Sequence, residues 1–302
     1  WSRSISRPIM AKSKVRIVFL CSSCGDEFAK WHGQCPSCSE WGTLSEYKVN
    51  TKSSRVRSNG RPRTTTKLVD LLEKGKINRN KTGIPEVDRV LGGGILPGSM
   101  ILLGGSPGVG KSTLALQIIS GLSGNVLYVS AEESEDQLAL RAKRLGIDSN
   151  LIHLSTENNA QAILDQVALL KPKLLILDSI QTIYSDNIDS IPGSPSQIRE
   201  CGQQFLIMSK QNGVSVIVIG HVTKEGIIAG PKMLEHMVDT VLYLEGDSRF
   251  DHRVLRSEKN RFGTTNEVGI FQMNEQGLEE VSNPSELFLA ERTKEVPGSA
   301  VF

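Results

Sequence analysis

A glycine-rich segment between a strand pattern and a helix pattern constrains this chain most. Residues Gly105 to Ser112 fit the phosphate-binding pattern G-x-x-x-x-G-K-[ST]. The apolar run 99–103 upstream predicts a buried strand, and Leu114 and Ile118 downstream recur at helical spacing. Strand, glycine loop and helix are the parts that a phosphate site requires. This context disfavours the alternative of a glycine-rich turn followed by Gly-Lys-Ser by chance.

Each part of this loop has a role in holding phosphate groups. Glycines let the backbone turn so that several N–H groups point inward, and the following helix presents the positive end of its dipole. Lys111 is predicted to reach the β- and γ-phosphates of ATP, and Ser112 to give Mg²⁺ a hydroxyl ligand. The predicted nucleotide-binding residues of the loop are Gly105, Ser106, Pro107, Gly108, Val109, Gly110, Lys111, Ser112 and Thr113.

Strand and helix patterns alternate through the centre of the chain. Strands are predicted over 125–130, 151–154, 173–179, 214–221, 241–245 and 253–258, and helices over 137–145 and 163–170. Such alternation predicts an α/β fold, a mostly parallel sheet with helices on both faces. Ligands bind at the carboxyl ends of the strands in such sheets, where Glu132, Asp178 and His221 stand.

These strand-end residues are the candidates for the chemistry. Asp178 follows four apolar residues and is predicted to hold Mg²⁺, directly or through water; a helix N-cap is the alternative. Glu132 is the candidate general base that polarises a water beside the γ-phosphate, and its neighbour Glu133 is the rival. His221 is predicted to sense the γ-phosphate, with a structural hydrogen-bonding role as the alternative.

Four of the five cysteines form two Cys-x-x-Cys pairs separated by ten residues. Cys21, Cys24, Cys35 and Cys38 are predicted to bind one Zn²⁺ in a structural site, because protein ligands fill all four positions. The alternative is two disulfides in a secreted module. It conflicts with the nucleotide loop, which belongs to the reducing cytosol, so we expect the protein in the cytoplasm. His32 between the pairs is predicted to be a surface residue rather than a ligand.

The net charge of +2 conceals two regions of opposite sign. Residues 1–66 carry 12 Lys and Arg against 4 Asp and Glu, and the remainder carries 23 against 29. A basic arm on an acidic body predicts a polyanionic partner, with a solvated flexible tail as the alternative. Trp31 and Trp41 are predicted to cover the apolar face of the cysteine module, with base stacking as the alternative. No apolar run is long enough to predict a membrane span.

Two cations and two long loops complete the candidate site. Lys259 and Arg261 are spaced to share one face of a strand. In an oligomeric ATPase such a pair reaches the γ-phosphate of a neighbouring subunit as an arginine finger; a salt bridge of Arg261 within its own subunit is the alternative. The loops 180–197 and 222–236 follow strand ends, where long loops are commonly functional, and the second, with its lysines and glycines, is predicted either to grip a phosphate backbone or to act as a lid.

The combined order of these motifs resembles the bacterial RadA/Sms family of RecA-like DNA-repair ATPases. One position departs from the family pattern, because Ala131 stands where glycine is expected. The matching residues are Cys21, Cys24, Cys35 and Cys38; Thr82 to Glu86; Gly105 to Thr113; Glu132 to Ser134; Asp178 and Ser179; Gly220 to Lys224; and Lys259 to Gly263.

The resemblance implies a RecA-like core that uses ATP, Mg²⁺ and Zn²⁺. It also implies a ring, a hexamer at full length, that binds single-stranded and branched DNA, promotes branch migration and works with the recombinase RecA. Lys259 and Arg261 would act across the subunit interface. The alternatives are an ATP-switched DNA-binding adaptor without motor activity, and a RecA-like kinase or clock-type ATPase.

The predicted domain organisation follows from composition and from this resemblance. Residues 1–9 precede Met10 and are interpreted as a non-native or upstream extension, with a transit-peptide fragment as the alternative. The family carries a Lon-protease-like domain at its C-terminus, and this chain ends about where that domain begins. The predicted segments are 1–9, the zinc module 10–48, a basic linker 49–66, the ATPase domain 67–282, and 283–302 as a linker and the start of the Lon-like domain.

Overall fold

Among the residues that it describes, the computed structural model has two sheets, one of three strands and one of nine. It describes residues 15–21, 26–50, 65, 67–73, 78–220, 231–246 and 251–281. Two predicted site residues, Cys24 and His221, therefore lie outside the described residues, and so does 222–230 of the second long loop.

The N-terminal sheet is small, antiparallel and built around cysteines. Its order is β2-β1-β3, with β1 at Val15–Cys21, β2 at Glu27–Phe28 and β3 at Leu44–Asn50. Cys21, Cys35 and Leu44 are buried at its centre, where Phe19 and Phe28 pack against them. Such a small core has few apolar side chains to bury, which is typical of a module that depends on a metal for stability.

The two tryptophans of this module lie on its surface. Trp31 is 60% exposed and Trp41 is 76% exposed, and their rings flank Gly33. The prediction that they cover the apolar face of the module is therefore wrong. The thiols and the two phenylalanines occupy that position instead, because they lie on the strands and knuckles that face inward.

The nine-stranded sheet begins with the strand that precedes the phosphate loop. Its strands are β4 (Met100–Gly104), β5 (Val126–Ser130), β6 (Ile152–Ser155), β7 (Leu174–Asp178), β8 (Ser215–Ile219), β9 (Thr240–Glu245), β10 (His252–Asn260), β11 (Val268–Asn274) and β12 (Gly277–Glu280). The order is β12-β11-β10-β9-β4-β8-β7-β5-β6. Strands β4 to β9 pair in parallel, and β10 to β12 add an antiparallel extension.

Helices cover both faces of this sheet because successive strand residues point to opposite sides. The described helices are α1 (Leu68–Glu73), α2 (Pro85–Val90), α3 (Lys111–Ser120), α4 (Glu135–Arg144), α5 (Ala160–Leu170), α6 (Pro195–Asn212) and α7 (Pro231–Met237). Leu103 packs in one core with α2, α3 and α4, whereas its neighbour Leu102 packs in the other with α5, α6 and α7. This arrangement confirms the predicted fold class.

The longest described helix was not predicted. The sequence analysis assigns no helix between residues 180 and 213, where the structure has α6. Its buried face includes Gln197, Gly202 and Ser209 beside apolar residues, so the apolar spacing that marks a helix is weak. Among the described helices, none combines the length and the apolar character that crossing a membrane requires.

Candidate functional site

The phosphate loop connects β4 to α3 with a backbone that only glycine tolerates at two points. Gly105 has φ of 152°, and a Cβ there would lie 2.4 Å from the carbonyl oxygen of Leu244. Gly110, the residue before α3, has φ of 112°, and a Cβ there would meet the methyl group of Met273 at 2.5 Å. The loop therefore keeps its shape through backbone positions that exclude a side chain.

Lys111 begins α3 and folds back over the loop. Its ammonium donates to the carbonyl oxygens of Gly105 at 2.9 Å and Ser106 at 3.0 Å, and the residue is 4% exposed. Burial lowers the pKa of Lys111, while the carboxylates of Asp178 and Glu132 oppose that shift. A cation held near these two carboxylates shows that the predicted site residues converge.

Asp178 ends β7 as a buried carboxylate. It is 6% exposed and accepts a hydrogen bond of 2.6 Å from the hydroxyl of Tyr128 on β5. Burial and then the charge of Asp178 raise the pKa of Tyr128 well above its usual value, so the phenol keeps the proton that it donates. The hydroxyl therefore fixes the orientation of the carboxylate that is predicted to hold Mg²⁺.

The two adjacent glutamates after β5 have different partners. Glu132 accepts a hydrogen bond of 2.6 Å from the hydroxyl of Ser179, the residue that follows Asp178. Glu133 instead forms an ion pair with Arg141 on α4. The sequence leaves these neighbours equivalent, but their contacts differ: Glu132 bonds to the residue after Asp178, whereas Glu133 pairs with a cation on α4.

Three residues of this site were missed by the sequence analysis. Tyr128 and Ser179 support the carboxylates, and Arg253 on β10 donates to the carbonyl oxygen of Val109 in the phosphate loop at 3.1 Å. Arg253 is 9% exposed. The sequence does show a tyrosine inside an apolar strand and an arginine at an inward-facing position of an alternating strand. Neither pattern indicates which residue the side chain contacts.

Lys259 and Arg261 lie at the opposite end of the sheet from the phosphate loop. The Arg261 amide bonds to the carbonyl of Asp239, and the Asp239 amide bonds to the carbonyl of Met100, at the start of β4. Met100 and Gly105 are five residues apart, about 16 Å along a strand at about 3.3 Å per residue. These cations therefore do not converge on the phosphate loop of their own subunit.

Both cations have partners within the subunit. Lys259 donates to the carbonyl oxygens of Glu235 at 2.6 Å and Val238 at 2.9 Å, at the end of α7. Burial and then the charge of Arg261 lower the pKa of Lys259. Arg261 is half exposed and lies 3.4 Å from a carboxylate oxygen of Asp239. Lys259 is in β10, as predicted, but Arg261 comes just after that strand ends.

The described cysteines of the N-terminal module converge on one point. The sulfur atoms of Cys21, Cys35 and Cys38 all lie within 4.8 Å of one another. The sulfurs of Cys21 and Cys38 are 3.6 Å apart, which suits two ligands of one metal rather than a covalent bond of about 2.05 Å. Three thiols arranged in this way, two of them buried, belong to the donor set that Zn²⁺ prefers.

Similarity to known proteins agrees with this geometry. A family model described as an AAA domain matches residues 64–226, more than half of the chain. The chain belongs to the AAA domain family. A second model, described as a rubredoxin metal binding domain, matches residues 19–46 and includes all four cysteines. The AAA domain therefore follows a metal-binding ribbon, as the cysteine spacing predicts.

The relatives of this AAA protein support the family resemblance. Proteins named "DNA repair protein RadA" from Listeria monocytogenes, Halalkalibacterium halodurans and Bacillus subtilis are 47%, 49% and 46% identical to it. Each match covers 97% of this chain and 65% of the relative, so the chain spans just under two thirds of their length. The predicted resemblance to the RadA family is confirmed.

Solved structures show the same fold at low sequence identity. A KaiC-like protein of Pyrococcus horikoshii OT3 is 22% identical with a TM-score of 0.55, over 68% of this chain and all of that protein. A second solved structure, of an isolated ATPase domain, is 15% identical with a TM-score of 0.59, over 71% of this chain and 97% of that domain. At these identities the likeness shows the fold of the AAA domain alone.

We predict that the purified protein carries one Zn²⁺ per chain and that its zinc thiols are protected by the metal. Burial and the charge of Glu200 raise the pKa of Cys201 to about 12, so this thiol should stay protonated and unreactive in the folded core. Thiol titration should therefore count almost none in the native protein, four after chelation, and five in denaturant.

The matched control is Cys201→Ala, which should remove one thiol from the denatured count and change nothing else. Metal analysis that finds no zinc, or native thiols that react without chelation, would contradict this prediction.

Proposed function

We propose that this chain is a Mg²⁺-dependent ATPase of recombinational DNA repair. The observation that carries the proposal is the convergence of Lys111, Asp178 and Glu132 at the carboxyl ends of β4, β7 and β5. These are a cation, a metal-binding carboxylate and a base, the parts that phosphoryl transfer to water requires. The name of the relatives, "DNA repair protein RadA", supports the wider role.

The residues of the loop are arranged to bind a triphosphate. The tip of the loop at 106–108 is exposed, and Lys111 can exchange its two carbonyl partners for phosphate oxygens. Ser112 and Asp178 would hold Mg²⁺, which neutralises phosphate charge when bound. In the same proposal His221, outside the described residues, senses the γ-phosphate.

Glu132 is the general base of this proposal. Its hydrogen bond to Ser179 keeps the carboxylate beside Asp178, where a water that attacks the γ-phosphate would lie. The rival carboxylate, Glu133, is instead paired with Arg141 on α4.

We predict that Glu132→Gln lowers turnover by about 10²–10⁴-fold with little effect on ATP binding, since a base acts in the chemical step. Glu133→Gln is the matched control, because it is the same change one residue away. It should weaken a partly exposed ion pair, worth about 1 kcal/mol or less, and leave turnover within a few-fold of the original. Single-turnover hydrolysis and nucleotide binding measure both effects. The reverse ranking of the two variants would contradict the assignment.

Arg261 and Lys259 are proposed to act on the γ-phosphate of a neighbouring subunit. Their position at the end of the sheet opposite the phosphate loop supports this, since a head-to-tail assembly brings that end of one subunit to the loop of the next. The exposed half of Arg261 is available for such a contact. The bonds of Lys259 to α7 support a further role, holding that helix against the strand that leads to Arg261.

We predict that Arg261→Ala binds ATP almost normally and hydrolyses it about 10³–10⁵-fold more slowly, the effect of a lost arginine finger. Mixing these chains with Lys111→Ala chains at assembling concentrations should restore part of the activity. In the mixture, some interfaces join the intact phosphate loop of an Arg261→Ala chain to the intact Arg261 of a Lys111→Ala chain. Each variant alone is the control. A mixture no more active than its components would show that the salt bridge to Asp239 is the whole role of Arg261.

The proposed partners are single-stranded and branched DNA, the recombinase RecA and further copies of this chain in a ring, a hexamer at full length. The excess of Lys and Arg in residues 1–66 supports a polyanionic partner. The bacterial relatives and the reduced thiols of a zinc site support a cytoplasmic location.

We predict that single-stranded DNA stimulates ATP hydrolysis and that hydrolysis displaces a strand from branched DNA. The stimulation should fall as salt rises, because phosphate contacts release counterions. Turnover and strand displacement are measured with ATP and with ADP, using Lys111→Ala as the control that binds DNA without turnover. DNA-stimulated hydrolysis without displacement would favour the ATP-switched adaptor and contradict the motor.

A further inference from the structure

A buried carboxylate lies directly behind the proposed arginine finger. Asp239 stands between α7 and β9, and its side chain is 2% exposed. A carboxylate at such depth costs folding free energy unless cations and N–H groups surround it. The sequence analysis gives it no role, and the nucleotide site at the other end of the sheet does not use it.

Asp239 is fixed to the centre of the sheet. Its Oδ2 accepts the backbone N–H of Met100 at 3.0 Å, and its own N–H donates to the Met100 carbonyl at 2.9 Å. The carbonyl of Asp239 in turn accepts the N–H of Arg261 at 3.0 Å. This carboxylate therefore has a fixed position relative to the start of β4 and to the backbone of the finger.

Two cations share this carboxylate unequally. The ammonium of Lys210, near the end of α6, lies 2.5 Å from Oδ2, whereas the guanidinium of Arg261 lies 3.4 Å from Oδ1. Lys210 also lies 5.8 Å from the centroid of the Phe262 ring. The side chains of Lys210 and Arg261 are 44% and 51% exposed, so both cations border solvent while the anion between them does not.

This inequality has an electrostatic consequence. One negative charge cannot neutralise two positive charges, and the shorter contact belongs to Lys210. Among the described residues, the Arg261 side chain bonds to Asp239 alone, so it is oriented by Asp239 but keeps most of its positive charge and most of its five N–H donors. A guanidinium held in this way is suited to a second anion that approaches from outside.

We propose that Asp239 is a positioning residue for the arginine finger and that Lys210 keeps Arg261 available by neutralising Asp239. The proposal rests on the action of Arg261 on a neighbouring subunit. Asp239 itself does not touch the nucleotide: it acts through Arg261.

Asp239→Asn tests the first part, because the amide oxygen can still accept the Met100 N–H while the charge is lost. We expect a turnover loss of up to about 10²-fold, the cost of misplacing a catalytic group by about 1 Å, with KM for ATP unchanged. The double variant with Arg261→Ala should be no slower than Arg261→Ala alone, because the two act as a unit. Full additivity in the double variant would overturn the proposal.

Subunit mixing separates positioning from a structural defect. Asp239→Asn chains have an intact phosphate loop and a misplaced arginine finger. Mixing them with Lys111→Ala chains should therefore restore part of the activity, as mixing is expected to do for Arg261→Ala chains. The matched control is Asp88→Asn: Asp88 is also buried and near a lysine, but it bonds to Thr82 and not to Arg261. The Asp88→Asn variant should have a lower thermal stability. It should not show a loss of turnover that mixing with Lys111→Ala chains restores.

Lys210→Met provides a second test that does not depend on a buried change. Without this ammonium, Asp239 pairs with Arg261 alone, so turnover should fall several-fold while KM stays constant. Turnover equal to that of the unchanged protein would overturn the role of Lys210. If Arg261→Ala itself is not rescued by Lys111→Ala chains, the proposed function fails. If it is rescued but Asp239→Asn is not, only the role of Asp239 fails.

Discussion

The parallel pairing of β4 with β8 and β9 is the constraint on which the rest of the structure depends. Each strand of β4 to β9 begins at one end of the sheet and ends at the other, so all residues that follow these strands meet at one edge. Lys111, Asp178 and Glu132 come from three different connections and converge only for this reason. A chain that paired these strands antiparallel would separate them.

The same pairing explains why the phosphate loop and the cations Lys259 and Arg261 lie at opposite ends of the sheet. Strand β10 runs antiparallel to β9, so Arg253 at its start contacts the phosphate loop, whereas Lys259 near its end contacts α7. A single strand therefore connects the nucleotide loop of one subunit to the cations proposed to serve the next.

Local motifs were predictable because their chemistry is contained in a few consecutive residues. The glycines of the phosphate loop, Lys111 and the paired cysteines are defined by spacing alone. Partners distant in sequence were not predictable: Ser179 meets Glu132 and Tyr128 meets Asp178 only after β5 and β7 pair. The placement of Trp31 and Trp41 was wrong, because composition does not show which side chains a small core leaves outside.

The sequence by itself determined the fold class and the positions of the phosphate loop and the metal-binding ribbon, because each is specified by periodicity or by short spacing. The combined order of the motifs indicated the family by resemblance. Only the tertiary structure showed that Glu132 bonds to Ser179 whereas Glu133 pairs with Arg141. Only it revealed that Asp239 holds Arg261 at the far end of the sheet. These contacts depend on strand register and side-chain direction, and a residue's own sequence neighbourhood does not specify either one.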